Sequence, residues 1–182
     1  MSHVQTYLSE VSEIAKDLPL EDIERMAQSL SRMKGKLFIA GLGGSLANAI
    51  HLAADFRKLF NLNAEAFDNI AELTARANDE GFATIFGCWT SESNAWDKLL
   101  ILSVGGGTDH VSQPLIYAID NFKGQVLGIT GPDGGYTGQK ASICIKVPAG
   151  RQRITPHTEA FQMVIGHCLV SHPLLQKNRT VW

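Results

Sequence analysis

Lys36-Leu37-Phe38-Ile39-Ala40-Gly41-Leu42-Gly43-Gly44-Ser45 is a short apolar run that breaks into a cluster of glycines. Beyond it, Ala47, Ile50, Leu52, Ala53, Phe56 and Leu59 recur at the spacing of one helix face. The stretch reads as a strand, a glycine turn and a helix. Further strand-length runs follow at Leu99 to Val104, Gln125 to Thr130 and Ile143 to Val147, with Ala64-Glu65-Ala66-Phe67 as a short addition. Helices are expected between the later strands, over Val111–Asn121 and near Tyr136–Lys140, and a last long one from about Pro156 to His172. Upstream, Val4, Leu8, Val11, Ile14, Ile23, Met26, Ala27 and Leu30 mark two helices, or one helix bent at Pro19. Strands separated by helices, with turns too long for hairpins, indicate an α/β fold whose parallel sheet is covered on both faces. Ligands of such sheets collect at the carboxyl edge of the strands, which here carries the glycines.

The composition removes several classes. With 182 residues and 45% hydrophobic content the chain suits one domain with a proper core. Cys88, Cys144 and Cys168 are odd in number and lack C-x-x-C spacing, so a disulfide framework is not expected and a reducing compartment is. The opening Met1-Ser2-His3-Val4-Gln5 has no basic segment followed by an apolar stretch, and no apolar run approaches spanning length. The expectation is a soluble, cytoplasmic protein. A net charge of -2 with scattered Lys and Arg offers no stripe for nucleic acid or membrane. Trp89, Trp96 and Trp182 are accordingly read as packing or interface residues.

The first glycine cluster places residues without Cβ at a helix start, where backbone N–H groups and the helix dipole suit an oxyanion. It matches neither G-x-G-x-x-G nor G-x-x-x-x-G-K-[ST], which argues against a dinucleotide or nucleoside triphosphate. Ser103-Val104-Gly105-Gly106-Gly107-Thr108 repeats the design after another strand, with hydroxyls at both ends. Two such loops could grip one sugar phosphate through Gly43, Gly44, Ser45, Ser103, Gly105, Gly106, Gly107 and Thr108; the plainer alternative is that the glycines only close tight turns. Gly131-Pro132-Asp133-Gly134-Gly135 is read as a turn and nothing more.

His51 and Asp55 lie four apart on the helix after the first loop and project from one face. Glu159 and His167, on the last helix, are eight apart, a backbone separation of roughly 12 Å at 1.5 Å per residue. Two imidazoles and two carboxylates form an N/O donor set for Zn²⁺ or another divalent transition metal, though the eight-residue gap demands an irregular helix or a site shared between subunits. His3, His110, His157 and His172 have no evident role in the sequence.

Gly41-Leu42-Gly43-Gly44-Ser45 running into Ala49-Ile50-His51-Leu52-Ala53-Ala54-Asp55 resembles the opening of phosphoheptose isomerases, members of the sugar isomerase (SIS) domain family. Ala77-Asn78-Asp79-Glu80-Gly81-Phe82, the Ser103–Thr108 loop, Leu127 to Gly135, Ile145-Lys146-Val147-Pro148 and the His167 helix follow in that family's order. The resemblance covers almost the whole chain and implies one SIS domain over 1–182, with 1–33 a helical extension. It implies a three-layer αβα sandwich around a five-stranded flavodoxin-like parallel sheet, in a homotetramer with its sites at subunit interfaces. It also implies conversion of sedoheptulose 7-phosphate to D-glycero-D-manno-heptose 7-phosphate through an enediol. Carried over by position, Asp55 and His167 become the catalytic base and acid, and His51, Asp55, Glu159 and His167 the zinc ligands. Asn78 and Asp79 join the substrate-binding set. Asp55 stands where the family has Glu, Glu159 where it has Gln, Leu42 replaces the Asn of G-N-G-G-S, and the second loop replaces S-T-S-G-N-S. A non-catalytic sugar-phosphate-binding or protein-assembly module on the same scaffold is the alternative.

Overall fold

The computed structural model describes residues 1–108 and 111–178; His110 and Trp182 lie outside the described residues. Five parallel strands form one sheet in the order β2-β1-β3-β4-β5. They are β1 (Leu37–Ala40), β2 (Ala64–Ala66), β3 (Lys98–Ser103), β4 (Gln125–Thr130) and β5 (Ile143–Lys146). Ala40 pairs with Ile101, and Ser103 with Thr130, so the carboxyl ends of β1, β3 and β4 meet at one edge.

Side-chain alternation sorts each strand between two cores. Leu37 and Ile39, Leu100 and Leu102, and Leu127 and Ile129 point to one face. That face is covered by α1 (His3–Lys16), α2 (Leu20–Ser31), α3 (Gly44–Phe60) and α8 (Ile154–Val170). Phe38, Leu99 and Ile101 point to the other, where α4 (Ile70–Asp79), α5 (Gly87–Glu92), α6 (Gln113–Asn121) and α7 (Gly135–Lys140) lie. The N-terminal helices are part of the packing, since Ile14, Ile23, Met26, Ala27 and Leu30 share a core with the sheet. The bend at Pro19 is a full break between α1 and α2. Ser2 caps α1, its hydroxyl accepting from the Gln5 amide while the Gln5 carboxamide oxygen accepts from the Ser2 amide.

Residues 70–92 hold two helices and a 3₁₀ turn, Phe82–Thr84, that the sequence pattern does not announce. α4 has only Leu73 and Ala77 packed inward and α5 is six residues long, so neither carries a legible apolar period. Among the described residues no helix is long and apolar enough to cross a membrane.

Candidate active site

The strand order reverses between β1 and β3, and the two glycine loops leave the sheet on either side of that point. At the first, Gly43 has φ 60° and ψ -127°, a conformation that needs the absence of a Cβ, and it turns the chain directly into α3. The carbonyl of Gly43 takes the first helical bonds, from the Leu46 and Ala47 amides. The amides of Gly44 and Ser45 have no internal partner among the described residues, as expected for a first turn. The second loop likewise leaves the Gly105 and Gly107 amides without an internal partner. Ser45, Ser103, Gly105, Gly107, Thr108 and Glu159 line a cleft of about 190 Å³ between the loops, with Leu42 and Val111 among its apolar walls. At about 30 Å³ per water this equals the space of roughly six waters, enough for a phosphoryl group and a few attached atoms.

Gly106 is not in that lining. Its amide donates to the Ser103 hydroxyl at 3.0 Å, and its carbonyl accepts from the Thr137 amide and hydroxyl, each at 2.8 Å. With φ 69° and a Cβ position overlapping the Gly134 carbonyl, Gly106 is held against the third glycine cluster. Gly131–Gly135 is therefore more than a turn: it buttresses the second loop from behind, and Gly107 completes the contact by accepting from the Tyr136 amide at 3.0 Å.

α3 and α8 lie side by side and run in the same direction, with Gly44 against Glu159, Asn48 against Gln162 and His51 against His167. Between them runs a polar chain. Gln162 is 0% exposed; it donates to the Ser45 hydroxyl at 3.1 Å and accepts from Asn48 at 3.0 Å, while Asn48 also donates to the Glu159 carbonyl at 2.9 Å. Neither Asn48 nor Gln162 is among the residues expected at the site from the sequence. The available signal was a glutamine between Phe161 and Ile165 on an otherwise apolar stripe.

Further along the seam His51 Nε2 lies 3.2 Å from Asp55 Oδ2 and 3.3 Å from His167 Nε2, which is 3.6 Å from the same carboxylate oxygen. The three offer ligand atoms within 4.8 Å of one another, and both imidazoles are exposed. An N,N,O set with room for a further ligand is the arrangement of an open transition-metal site, so these residues fit a divalent ion. Glu159 is not with them. A Cβ on Gly44 would fall 2.5 Å from Glu159 Oε2 and 2.6 Å from its Cδ, so the carboxylate lies on the start of α3 and lines the cleft. The eight-residue gap in α8 is thus expressed as two stations on one seam.

Asn78 and Asp79 are not brought to the cleft. They end α4 on the surface, bonded to each other at 2.8 Å, and neither lines the cleft. His157 has a partner after all: it is 1% exposed, stacks on Tyr7 and lies 2.8 Å from Glu10, which also pairs with Arg153. Hydrogen bonds from Arg153 and then His157 hold the Glu10 carboxyl down at about 2. His172 meets Glu24 at 3.1 Å. Trp89 is buried and donates to Glu65 at 3.0 Å, whereas Trp96 is exposed under Lys34.

The chain is 33% identical over 146 residues to the phosphoheptose isomerase of Rhodospirillum rubrum, covering 76% of this chain and 75% of that one. It is 28% identical to the phosphoheptose isomerase of Aneurinibacillus thermoaerophilus over 195 residues, covering 99% and 96%. The solved structure of phosphoheptose isomerase GmhA from Neisseria gonorrhoeae superposes with a TM-score of 0.78 at 25% identity, covering 92% of each chain. No family model matches the chain.

Proposed function

This chain belongs to the phosphoheptose isomerase family, and from that premise we propose that it is a sugar-phosphate isomerase. Its substrate pair is read as sedoheptulose 7-phosphate and D-glycero-D-manno-heptose 7-phosphate. One observation supports the reading: the cleft, lined from α3 by Ser45 and not by Gly43 or Gly44, and the His51–Asp55–His167 cluster lie on the same seam, with Ser45 and His51 six residues apart along α3. At 1.5 Å per residue that is about 9 Å. The C2 carbon of a ketose 7-phosphate is seven bonds from phosphorus, and at about 1.2 Å per bond of extended chain it stands roughly 8 Å away. A triose phosphate, with three bonds between the same atoms, reaches only about 4 Å. The spacing supports a long-chain sugar phosphate bound with its phosphate at the glycine loops and its carbonyl end at the cluster.

In this reading the Gly44, Ser45, Gly105 and Gly107 amides and the Ser103 and Thr108 hydroxyls donate to the phosphate. The Asp55 carboxylate takes a proton from C1 of the ketose as the C2 oxygen gains one, giving the enediol. It then returns a proton to C2 as the C1 hydroxyl gives one up. His167 exchanges the oxygen proton through the ring nitrogen turned away from Asp55. A divalent ion held by His51, Asp55 and His167, with zinc the first candidate, would supply a Lewis acid for the carbonyl. The protein is read as one cytoplasmic SIS domain acting as a homotetramer, in which Asn78 and Asp79 serve the site of a neighbouring subunit.

A binding module without turnover is favoured by one feature only: no Lys, Arg or His is among the described residues that line the cleft. Conversion of sedoheptulose 7-phosphate by wild type, Asp55→Ala and His167→Ala separates the two. Each substitution is expected to lower the rate by about 10²–10⁴-fold, the usual worth of a positioned acid or base. Turnover equal in wild type and the double variant removes the catalytic assignment; ligand binding with no turnover in wild type leaves the module.

A further inference from the structure

Beside the buried stripe of α2, Arg25, Gln28, Ser29 and Arg32 recur at i, i+3, i+4 and i+7 and so share one side of the helix. With Lys98 and Ile143, at the amino ends of β3 and β5, they line a recess of about 320 Å³. The recess lies at the opposite edge of the sheet from the glycine loops, since Lys98 and Ser103 are the two ends of β3, five residues or roughly 16 Å apart. Its described lining contains three cations, no carboxylate and one apolar side chain, Ile143.

These cations are poorly matched from within. The Arg32 guanidinium makes no hydrogen bond or ion pair with any described residue. Arg25 meets Asp22 at 2.8 Å through one nitrogen only. Lys98 is half-buried, and its ammonium meets the neutral carboxamide oxygen of Gln125. That oxygen also accepts from the Ser29 hydroxyl at 3.0 Å, while the Gln125 side-chain amide donates to the Ser142 hydroxyl at 2.7 Å, so the carboxamide is fixed with its oxygen toward Lys98. An ammonium has three donors, and Gln125 uses one. Burial without a counter-charge pushes the Lys98 ammonium below its ordinary value, a cost that a bound anion would remove.

We propose that this recess is a second anion site, built for a diphosphate group carried by a small molecule. Arg25 and Arg32 are seven residues apart, about 10.5 Å along α2, and a single phosphate is short for that span. Two linked phosphoryl groups can take a guanidinium fork at each end and the Lys98 ammonium as well. A lining with one apolar side chain matches a ligand charged over most of the length it places there. The site is independent of the reading of the cleft, which lies at the other edge of the sheet.

Titration of inorganic pyrophosphate into the full chain in EDTA, by calorimetry and with Lys98 acetylation mapped by peptide mass spectrometry, tests it. Wild type is expected to bind pyrophosphate at least about tenfold more tightly than orthophosphate, the worth of one further charge-assisted hydrogen bond, and to lose reactivity at Lys98 as the site fills. Arg32→Gln and Lys98→Gln should each weaken binding by about tenfold or more, and Arg32→Gln should restore Lys98 acetylation. Circular dichroism verifies the fold of each variant. No binding, orthophosphate bound as tightly, Lys98 acetylated equally with and without pyrophosphate, or an affinity unchanged in Arg32→Gln overturns the proposal, while the cleft reading stands or falls by its own turnover assay. Binding that Ser103→Ala abolishes and Arg32→Gln leaves intact places the anion in the cleft, which overturns the second site and supports the first.

Discussion

Replacing Gln162 by Leu tests whether the α3–α8 seam is held by its buried polar chain. The side chain is 0% exposed, and it satisfies the Ser45 hydroxyl, itself 2% exposed, at 3.1 Å. Leucine has a similar volume, so little cavity is created. What changes is the hydrogen bonding. Ser45 loses its donor, and a stranded buried polar atom costs about 1–3 kcal/mol. Asn48 loses its bond to Gln162 at 3.0 Å but keeps the Glu159 carbonyl at 2.9 Å, so its share is the net worth of one bond, about 1 kcal/mol. The greater apolar burial of leucine offsets part of this, leaving a net loss of about 1–2 kcal/mol. For a chain of this size that lowers Tm by roughly 2–8 °C. Urea unfolding should give a lower midpoint with an unchanged slope. A cycle combining Gln162→Leu with Asn48→Ala should return a coupling of at least about 0.5 kcal/mol, since the two side chains touch. A variant as stable as wild type, or a cycle with no coupling, would refute the idea that this chain sets the register of the two helices.

Gly106→Ala should destabilise by more than about 2 kcal/mol, because alanine at φ 69° costs about 1–2 kcal/mol before its Cβ meets the Gly134 carbonyl; an unchanged Tm would contradict the interlocked loops. Glu10 has its carboxyl depressed from an ordinary 4.5 to about 2 by Arg153 and His157, so its contribution is present above pH 4.5 and disappears as pH falls toward 2. Between those values the urea midpoint of wild type should fall further than that of Glu10→Gln, and parallel curves would dismiss the network as a source of stability. Burial first, and a hydrogen bond with Glu72 second, push the Cys88 thiol up to about 11, and burial also raises Cys144. Alkylation with iodoacetamide at pH 8, mapped by peptide mass spectrometry, should therefore modify the exposed Cys168 before either; prior labelling of Cys88 would deny this account.

The parts of the fold that were legible are those whose signal is local. Strand runs and the helix after Ser45 depend on apolar periods of two and 3.6, and these survive in β1, β3, β4 and α3 because each is packed on by its neighbours. α4 and α5 escaped because their stability comes from being pressed on the Phe38 face, around Phe86 and Trp89, rather than from a stripe of their own. At the site, residues four apart on one helix could be paired by arithmetic, and His51 and Asp55 do meet at 3.2 Å. His167 joins them at a distance that family resemblance implied and spacing did not. Glu159 separates from them for a reason visible only in three dimensions, because its partner surface is the glycine start of α3. The Glu10–Arg153–His157 contact spans more than 140 positions of chain, and nothing in either segment announces the other.

The shared direction of α3 and α8 gives the two stations different electrostatic settings. The amino terminus of α3 directs the positive end of its dipole at the cleft, whereas α8 begins at Ile154, more than a turn before Glu159. That field favours the anion at the glycine loops and lowers the cost of holding Glu159 beside it. His51, Asp55 and His167 sit beyond the first turn of α3 and near the end of α8, where the dipole of α8 turns negative and favours a cation. One pair of parallel helices therefore presents an anion-seeking end and a cation-seeking stretch at about the separation of a sugar phosphate's two functional ends. An antiparallel pair would set opposed helix ends at each station and largely cancel both preferences. The polar contacts of Gln162 with Ser45 and Asn48 fix the sliding position of the helices, and with it the distance between the stations.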